Sequence, residues 1–110
     1  MTETTQTTKQ KRAPRKPDAM TRILNDIRAQ AKILGEYATN PVPEHRLAHH
    51  DGRAAAWGRQ YAHEGTIDAM VLSYSFEAMS TRNPAEERYA LVQLAAVVMA
   101  RIEQIDEAGQ

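Results

Sequence analysis

Residues 89–105 read YALVQLAAVVMARIEQI and form the most apolar stretch of the chain. Its large apolar residues recur at spacings of three and four and cover more than one face of a helix, which indicates contact with several neighbours. The nearly apolar run within it, residues 89–100, is shorter than the roughly 20 residues that a membrane span requires. We therefore expect residues 89–105 to belong to the central and most buried helix of the fold.

The start of this helix is marked by a capping-box pattern. Asn83, Pro84 and Glu86 occupy the cap, the first and the third helical positions. Asparagine accepts from free backbone N–H groups, proline fits the first turn, and a glutamate at the third position reaches back to the cap. The pattern predicts a helix that begins at residue 84.

Three more helices are predicted upstream, over about residues 18–37, 43–64 and 67–80. The first carries an apolar stripe at helical spacing, with Asp18 placed to cap its start; the stripe comprises Met20, Ile23, Leu24, Ile27, Ala31 and Leu34. Gly52 and Gly58 weaken the second helix, and a glycine in a helix often marks close approach of another element. No segment alternates as a strand does. The prediction is an all-α bundle of about four helices.

The chain divides into a tail, residues 1–17, and a helical domain, residues 18–110. The tail is polar and basic, and its composition predicts disorder; its cations are Lys9, Lys11, Arg12, Arg15 and Lys16. Such a cluster would contact nucleic acid or another anionic partner without reading sequence, or would merely aid solubility. Residues 1–60 carry eleven Lys and Arg against six Asp and Glu, and residues 61–110 carry three against eight.

Size and composition narrow the class of protein. The 110 residues contain no cysteine, which excludes a disulfide framework, a thiol nucleophile and a thiolate metal site. A domain of about ninety residues has a marginal core, so we expect a homo-oligomer, most simply a homodimer. No apolar stretch follows the first basic residues, so we expect no secretory signal, no membrane partner and a cytoplasmic location, in a bacterium or an infected host cell.

The densest set of possible metal ligands lies at the start of the second helix. It comprises Glu44, His45, His49, His50 and Asp51. His45 and His49 are four residues apart and share a helix face, as a metal pair requires. His63 lies roughly 27 Å farther along a continuous helix and cannot join them. The alternative is a polar helix start with its acids placed to favour the helix dipole.

A second pair of acids, Glu103 and Asp106, lies near the end of the fourth helix. Carboxylates three residues apart can hold Mg²⁺ for phosphate chemistry. They are also unfavourable beside the negative end of the helix dipole, so a compensating charge is expected unless the end frays. The alternative is a solvated surface. No glycine-rich loop follows a strand, which excludes a P-loop or dinucleotide phosphate site.

The middle and the end of the chain resemble a group of small phage and prophage proteins. The middle match comprises Pro43-Glu44-His45, His49, Asp51-Gly52, Ala55 and Tyr61-Ala62. The end match comprises Leu91-Val92, Ala95-Ala96, Ile102-Glu103 and Asp106, and Ile23, Asp26, Arg28 and Gln30 match more weakly upstream. Members of that group are often described as similar to MazG-like nucleotide pyrophosphohydrolases.

The resemblance implies an all-α, oligomeric, Mg²⁺-dependent enzyme that cleaves nucleoside triphosphates to monophosphate and pyrophosphate. The resemblance implies that Glu44, Asp51, Glu103 and Asp106 are metal ligands, with His45 and His49 nearby. Two aspartates of the pattern are replaced here by Arg46 and Leu47, and the upstream acid is Asp26 where glutamate is usual. Loss of carboxylates weakens a site for a hard cation.

Two hypotheses follow. In the first, the chain is a phage- or prophage-type accessory protein that acts by binding a protein or nucleic-acid partner and needs no cofactor. In the second, it is a MazG-like pyrophosphohydrolase with Mg²⁺. The first hypothesis is favoured because acids of the family pattern are missing here and because the tail is basic.

Overall fold

The computed structural model describes residues 18–109, which fold into four α-helices with no strand among them. The helices are α1 (Ala19–Leu34), α2 (Glu44–Glu64), α3 (Ile67–Ala78) and α4 (Pro84–Ala108). The predicted all-α class is confirmed. The predicted tail, with its five cations, lies outside the described residues.

The start of α1 and its end are set by single residues. The Asp18 carboxylate accepts from the Thr21 backbone N–H at 2.8 Å, as the cap prediction required. The end differs from the predicted boundary at Tyr37. Gly35 adopts φ 67° and ψ −154°, a conformation open essentially to glycine alone, and the helix stops at Leu34. Residues 35–43 then run to α2 without regular structure.

The turn between α2 and α3 is as short as the sequence indicates. Gly65 is left-handed, with φ 68° and ψ 26°, and its N–H donates to the Tyr61 carbonyl at 2.7 Å. Thr66 is the N-cap of α3 but its side chain does not cap the backbone. Because only two residues separate the helices, α2 and α3 pack as an antiparallel hairpin.

The predicted cap of α4 is present and is more elaborate than a capping box. Asn83 Oδ1 accepts from the N–H groups of Ala85 at 2.9 Å and Glu86 at 3.2 Å. Thr81 links Asn83 to Glu86, the two residues that bond each other directly in a capping box. Its hydroxyl accepts from the Asn83 N–H at 3.1 Å and donates to Glu86 Oε1 at 2.9 Å. The threonine hydroxyl thus relays the contact that the glutamate would otherwise make itself.

The helices pack in the spatial order α2, α3, α4, α1, with α3 between its two neighbours and α1 in contact with α4. Gly58 on α2 allows the closest approach, since a Cβ added there would lie 3.3 Å from Ser73 Oγ on α3. Ser73 Oγ also donates to the Ala54 carbonyl at 3.1 Å. A Cβ at Gly52 would meet nothing within 4 Å. Close approach is therefore confirmed at Gly58 and not at Gly52.

The core of the described chain is small, and its centre is not where the sequence predicts. The buried hydrophobic residues are Ile23, Ala69, Ala78 and Ala90. Every residue from 69 to 76 in α3 is buried or half-buried, whereas α4 buries Ala90 alone. The prediction that α4 is the most buried helix is wrong for the single chain. Of the helices within residues 18–109, only α3 and α1 contact α4, and together they leave part of its apolar surface exposed.

None of the helices within residues 18–109 combines the length and the apolar character that crossing a bilayer requires.

Candidate functional site

The acids at the start of α2 lie near the α3–α4 turn. Glu44 is the first residue of α2, and its Oε1 is 3.8 Å from Arg82 Nη1. Both side chains are largely exposed, with 85% of the Glu44 side chain accessible, so this ion pair contributes little to stability. Asp51 follows two turns later and is also exposed. Neither carboxylate is held by a buried donor that would preorganise it for a cation.

The other two predicted acids lie at the far end of α4. Glu103 is half-buried, Asp106 is exposed, and the last turn of the helix contains no basic residue. Arg82, beside Glu44, precedes α4 by two residues, so Glu103 lies roughly 30 Å away along the helix axis. One chain therefore holds the four acids as two separate pairs. Among residues 18–109, no group of three or more His, Asp or Glu side chains could hold a metal ion.

The three histidines in the first half of α2 divide into two kinds. His45 and His49 are exposed and one turn apart, as the spacing indicates. His50 packs against α3, where its ring centroid is 5.7 Å from that of Phe76 and its buried Nδ1 has no hydrogen-bond partner. The Arg53 guanidinium lies 5.7 Å from the centroid of the same Phe76 ring. His50 thus belongs to the α2–α3 contact.

A groove between α1 and α4 is lined mainly by apolar side chains. Its volume is about 370 Å³, and its lining residues are Ile23, Asp26, Ile27, Gln30, Ala31, Leu34 and Ile102. Ile23 is buried at its base, with 2% of its surface accessible, while Ile27 and Leu34 remain exposed. The sequence identified these residues as an apolar stripe but could not show that one chain leaves the stripe open.

A second cavity, of about 900 Å³, lies where the segment between α1 and α2 crosses the start of α4. Tyr37 and the segment 39–42 line one side, and Arg82, Glu87 and Leu91 line the other. Arg82 donates to the Val42 carbonyl from Nε and from Nη2, at 3.2 and 2.6 Å. Sequence reasoning missed Arg82, whose partner is 40 residues away and is a backbone atom.

The carboxyl groups of Asp18 and Asp68, each at the start of a helix, have a pKa below the ordinary value. Hydrogen bonds from the Thr21 N–H and hydroxyl hold the pKa of Asp18 below its ordinary value. Hydrogen bonds from the Thr66 side chain and the Ala69 N–H lower the pKa of Asp68. Both shifts follow from donors that favour the charged form; Asp18 is the cap of α1, and Asp68 lies in the first turn of α3.

No protein-family profile matches the chain, and neither the curated proteins nor the solved structures contain a significant match to it.

Proposed function

We propose that this chain is a small helical accessory protein, of the phage or prophage type, that acts by binding and does so as a homodimer. The supporting observation is the imbalance between its core and its surface. The described chain buries one large apolar side chain, Ile23, while thirteen others are exposed, and four of these, Ile33, Leu34, Tyr37 and Tyr89, are more than 60% exposed. Two of the exposed residues, Ile27 and Leu34, line one groove between α1 and α4, and a contiguous apolar surface is typical of an interaction site.

The basic tail is the second part of this proposal. Its five cations lie within eight residues, and the tail joins the helical domain at Asp18, the cap of α1. Such a cluster binds phosphates by releasing their counterions, so each cation steepens the dependence of affinity on salt. The tail would supply contact with nucleic acid or an acidic protein, and the helical domain would supply assembly.

The test compares the full chain with two variants in retention of labelled double-stranded DNA over a salt series. One variant lacks residues 1–17, and the other keeps the tail but replaces Lys9, Lys11, Arg12, Arg15 and Lys16 by Gln. We expect both to lose salt-sensitive retention, and the full chain to show a slope of log affinity against log salt of about −4.5 for each tail that contacts the DNA. Retention that is unchanged in the Gln variant would exclude the nucleic-acid role.

A MazG-like, Mg²⁺-dependent pyrophosphohydrolase is the second candidate. One arrangement favours it: Asp26 lines the groove that also contains Ile102, the neighbour of Glu103, so these two acids lie at the same end of the molecule. Glu44 and Asp51 are distant from that end in one chain. A site that combines them with Glu103 and Asp106 would therefore need more than one copy. Catalysis would then require the assembled oligomer.

Incubation with each deoxynucleoside triphosphate and Mg²⁺, followed by assay of pyrophosphate, decides between the two candidates. The binding hypothesis predicts no turnover above that of a heat-treated sample. Turnover that is abolished by both Glu103→Ala and Glu44→Ala, and retained by Glu64→Ala on the same helix as Glu44, would establish the enzyme instead.

A further inference from the structure

The side of α2 that faces away from α3 carries arginine and histidine but no acid. Of the helices within residues 18–109, α2 packs only against α3, so its opposite side is open. At about 100° per residue, one arc of roughly 140° collects the basic side chains of α2 between residues 45 and 63. The residues of this arc are His45, Arg46, His49, Gly52, Arg53, Ala56, Arg59, Gln60 and His63, and all are exposed except the half-buried Gln60. These nine residues are the α2 outer face.

The acids of α2 lie outside this face. Glu44 and Asp51 project roughly 60–80° beyond its edge, and Glu44 is paired with Arg82. Glu64 is the last residue of the helix and lies roughly 27 Å from Arg46 along the axis. The α2 outer face therefore presents positive charge over most of its length, although the whole chain has no net charge.

The three arginines of the face keep their N–H donors available. The side chains of Arg46 and Arg59 form no hydrogen bond or ion pair within residues 18–109. The Arg53 guanidinium lies 5.7 Å from the centroid of the Phe76 ring, and this contact orients the group without using a donor. A guanidinium with free donors matches the oxygens of a phosphate in a fork geometry.

The spacing of the arginines suits a polyanion. Along the helix axis, Arg53 follows Arg46 by roughly 10 Å, and Arg59 follows Arg53 by roughly 9 Å. A DNA duplex carries one negative charge per roughly 1.7 Å of its axis, so a phosphate is available at each arginine. The face can therefore make three separate phosphate contacts.

The remaining residues of the face favour a duplex over other polyanions. Gly52 and Ala56 lie near its middle, and it contains no large aliphatic residue and none of Trp, Tyr or Phe, which protein partners use as anchors. Trp57 and Tyr61 lie outside the face, so the bases of a single strand would find no ring on which to stack. A duplex needs neither feature, because its phosphates carry the contacts.

We infer that the α2 outer face binds the phosphates of duplex DNA through Arg46, Arg53 and Arg59, with its histidines as further N–H donors. The inference goes beyond the proposed tail contact, because it assigns a second phosphate site to the folded domain and does not depend on the tail. The two contributions add. Three cations alone hold DNA weakly, so deletion of the tail is still expected to abolish retention.

The experiment measures the affinity of the full chain for a labelled duplex by fluorescence anisotropy between about 50 and 200 mM salt. Arg46→Gln/Arg53→Gln/Arg59→Gln should remove about 2.7 from the steepness of the slope of log affinity against log salt, in addition to the share that each tail supplies. The fall in affinity across this range should then be about 40-fold smaller. The control Arg28→Gln/Arg88→Gln/Arg101→Gln removes the same charge from exposed positions on α1 and α4 and should keep the slope. Equal slopes in the two triple variants would overturn the inference.

Two further variants guard against loss of folding. Arg46→Gln/Arg59→Gln keeps the contact between Arg53 and Phe76 and should still remove about 1.8 from the steepness of the slope. Ala56→Glu places a carboxylate in the middle of the face and should weaken binding by about tenfold or more. Its control is Ala62→Glu, at an exposed position of the same helix outside the face. Equal affinities of the two glutamate variants, with helix content unchanged by circular dichroism, would contradict the proposed site.

Failure here is separable from failure of the proposed tail contact. A tail variant that binds as the full chain does, beside a weaker α2 triple variant, removes the tail role and leaves the α2 outer face. The converse result removes the α2 outer face alone. An α2 triple variant that loses binding to polyglutamate but keeps its full affinity for DNA would assign the face to an acidic protein and overturn the inference.

Discussion

Arg82 Nε and Nη2 both donate to one acceptor, the carbonyl oxygen of Val42, at 3.2 and 2.6 Å. The two residues are 40 positions apart, and the contact ties the segment between α1 and α2 to the residues that precede α4. It therefore determines where the chain enters α2 relative to the α3–α4 turn. A planar guanidinium can make both bonds at once, whereas an ammonium cannot.

Replacement of Arg82 should show how much this contact contributes to the free energy of unfolding. We expect Arg82→Lys to lower the free energy of unfolding by about 1 kcal/mol, because it loses at least one charge-assisted hydrogen bond at a partly exposed site. Urea denaturation followed by circular dichroism measures the change. The matched control is Glu44→Gln, which removes only the exposed ion pair at 3.8 Å and should cost less than about 0.5 kcal/mol. Equal losses in the two variants would assign the stabilisation to the ion pair.

The two glycines of α2 should respond differently to alanine. Gly52→Ala meets nothing within 4 Å and should stabilise the protein by about 0.5–1 kcal/mol through its helix propensity. At Gly58 the new methyl group lies 3.3 Å from Ser73 Oγ, and the serine must give up its bond to the Ala54 carbonyl or move α3. Thermal unfolding should therefore rank Gly52→Ala above the unaltered protein and above Gly58→Ala. The reverse ranking would contradict the observed α2–α3 approach.

The α4 cap offers a test of the threonine relay. Asn83→Ala should cost about 1 kcal/mol, since it frees the N–H groups of Ala85 and Glu86. Asn83→Asp should be tolerated, because aspartate caps equally well and favours the helix dipole. Thr81→Val keeps the shape of the side chain but removes both relay bonds, and we expect an intermediate loss of about 0.5–1 kcal/mol. No loss for Thr81→Val in urea unfolding would show that the relay is dispensable.

The capping carboxylate of α1 predicts a pH dependence. The Thr21 donors hold the pKa of Asp18 below its ordinary value in the folded state, so its contribution is complete above the unfolded-state pKa. That contribution is lost as the pH falls through the lower, folded-state pKa. Asn caps without titrating. We therefore expect Asp18→Asn to match the unaltered protein near neutral pH and to retain more helix by circular dichroism at about pH 3. Parallel acid titration curves would contradict the assignment.

Signals that act within a few residues were predictable from the sequence. Asp18 and Asn83 mark helix boundaries because capping needs only a suitable side chain at one position. Gly35 acts equally locally, yet the apolar periodicity of α1 continues past it, and the period alone places the helix end too late.

Which helix lies at the centre was not predictable. The α3 helix contains Ser73 and Ser75, which weaken an apolar pattern, but their hydroxyls donate to the Ala54 and Val71 carbonyls and can be part-buried without cost. The α4 helix has the stronger apolar pattern. A sequence shows that such a surface must be covered, and it does not show whether the cover comes from the same chain.

The positions of the acids were likewise predictable only where they depend on local spacing. Glu103 and Asp106 share one end of α4 because their spacing requires it. The roughly 30 Å between Glu103 and the start of α2 depends on the packing order of the helices, and no local pattern encodes that order. A resemblance that gathers these acids into one site therefore implies more than a single chain provides.

The small core, which consists of Ile23 and three alanines, also affects how quickly the protein is degraded in a cell. Proteases act on chains that open, and if the chain dimerises as proposed, the population of open chains falls as copies pair. Under the proposed dimerisation, copies made below the concentration needed for pairing stay unpaired and are degraded, whereas paired copies persist. The amount of the protein would then rise steeply with its rate of synthesis. Because the core is small, the protein would accumulate only above a threshold rate of expression.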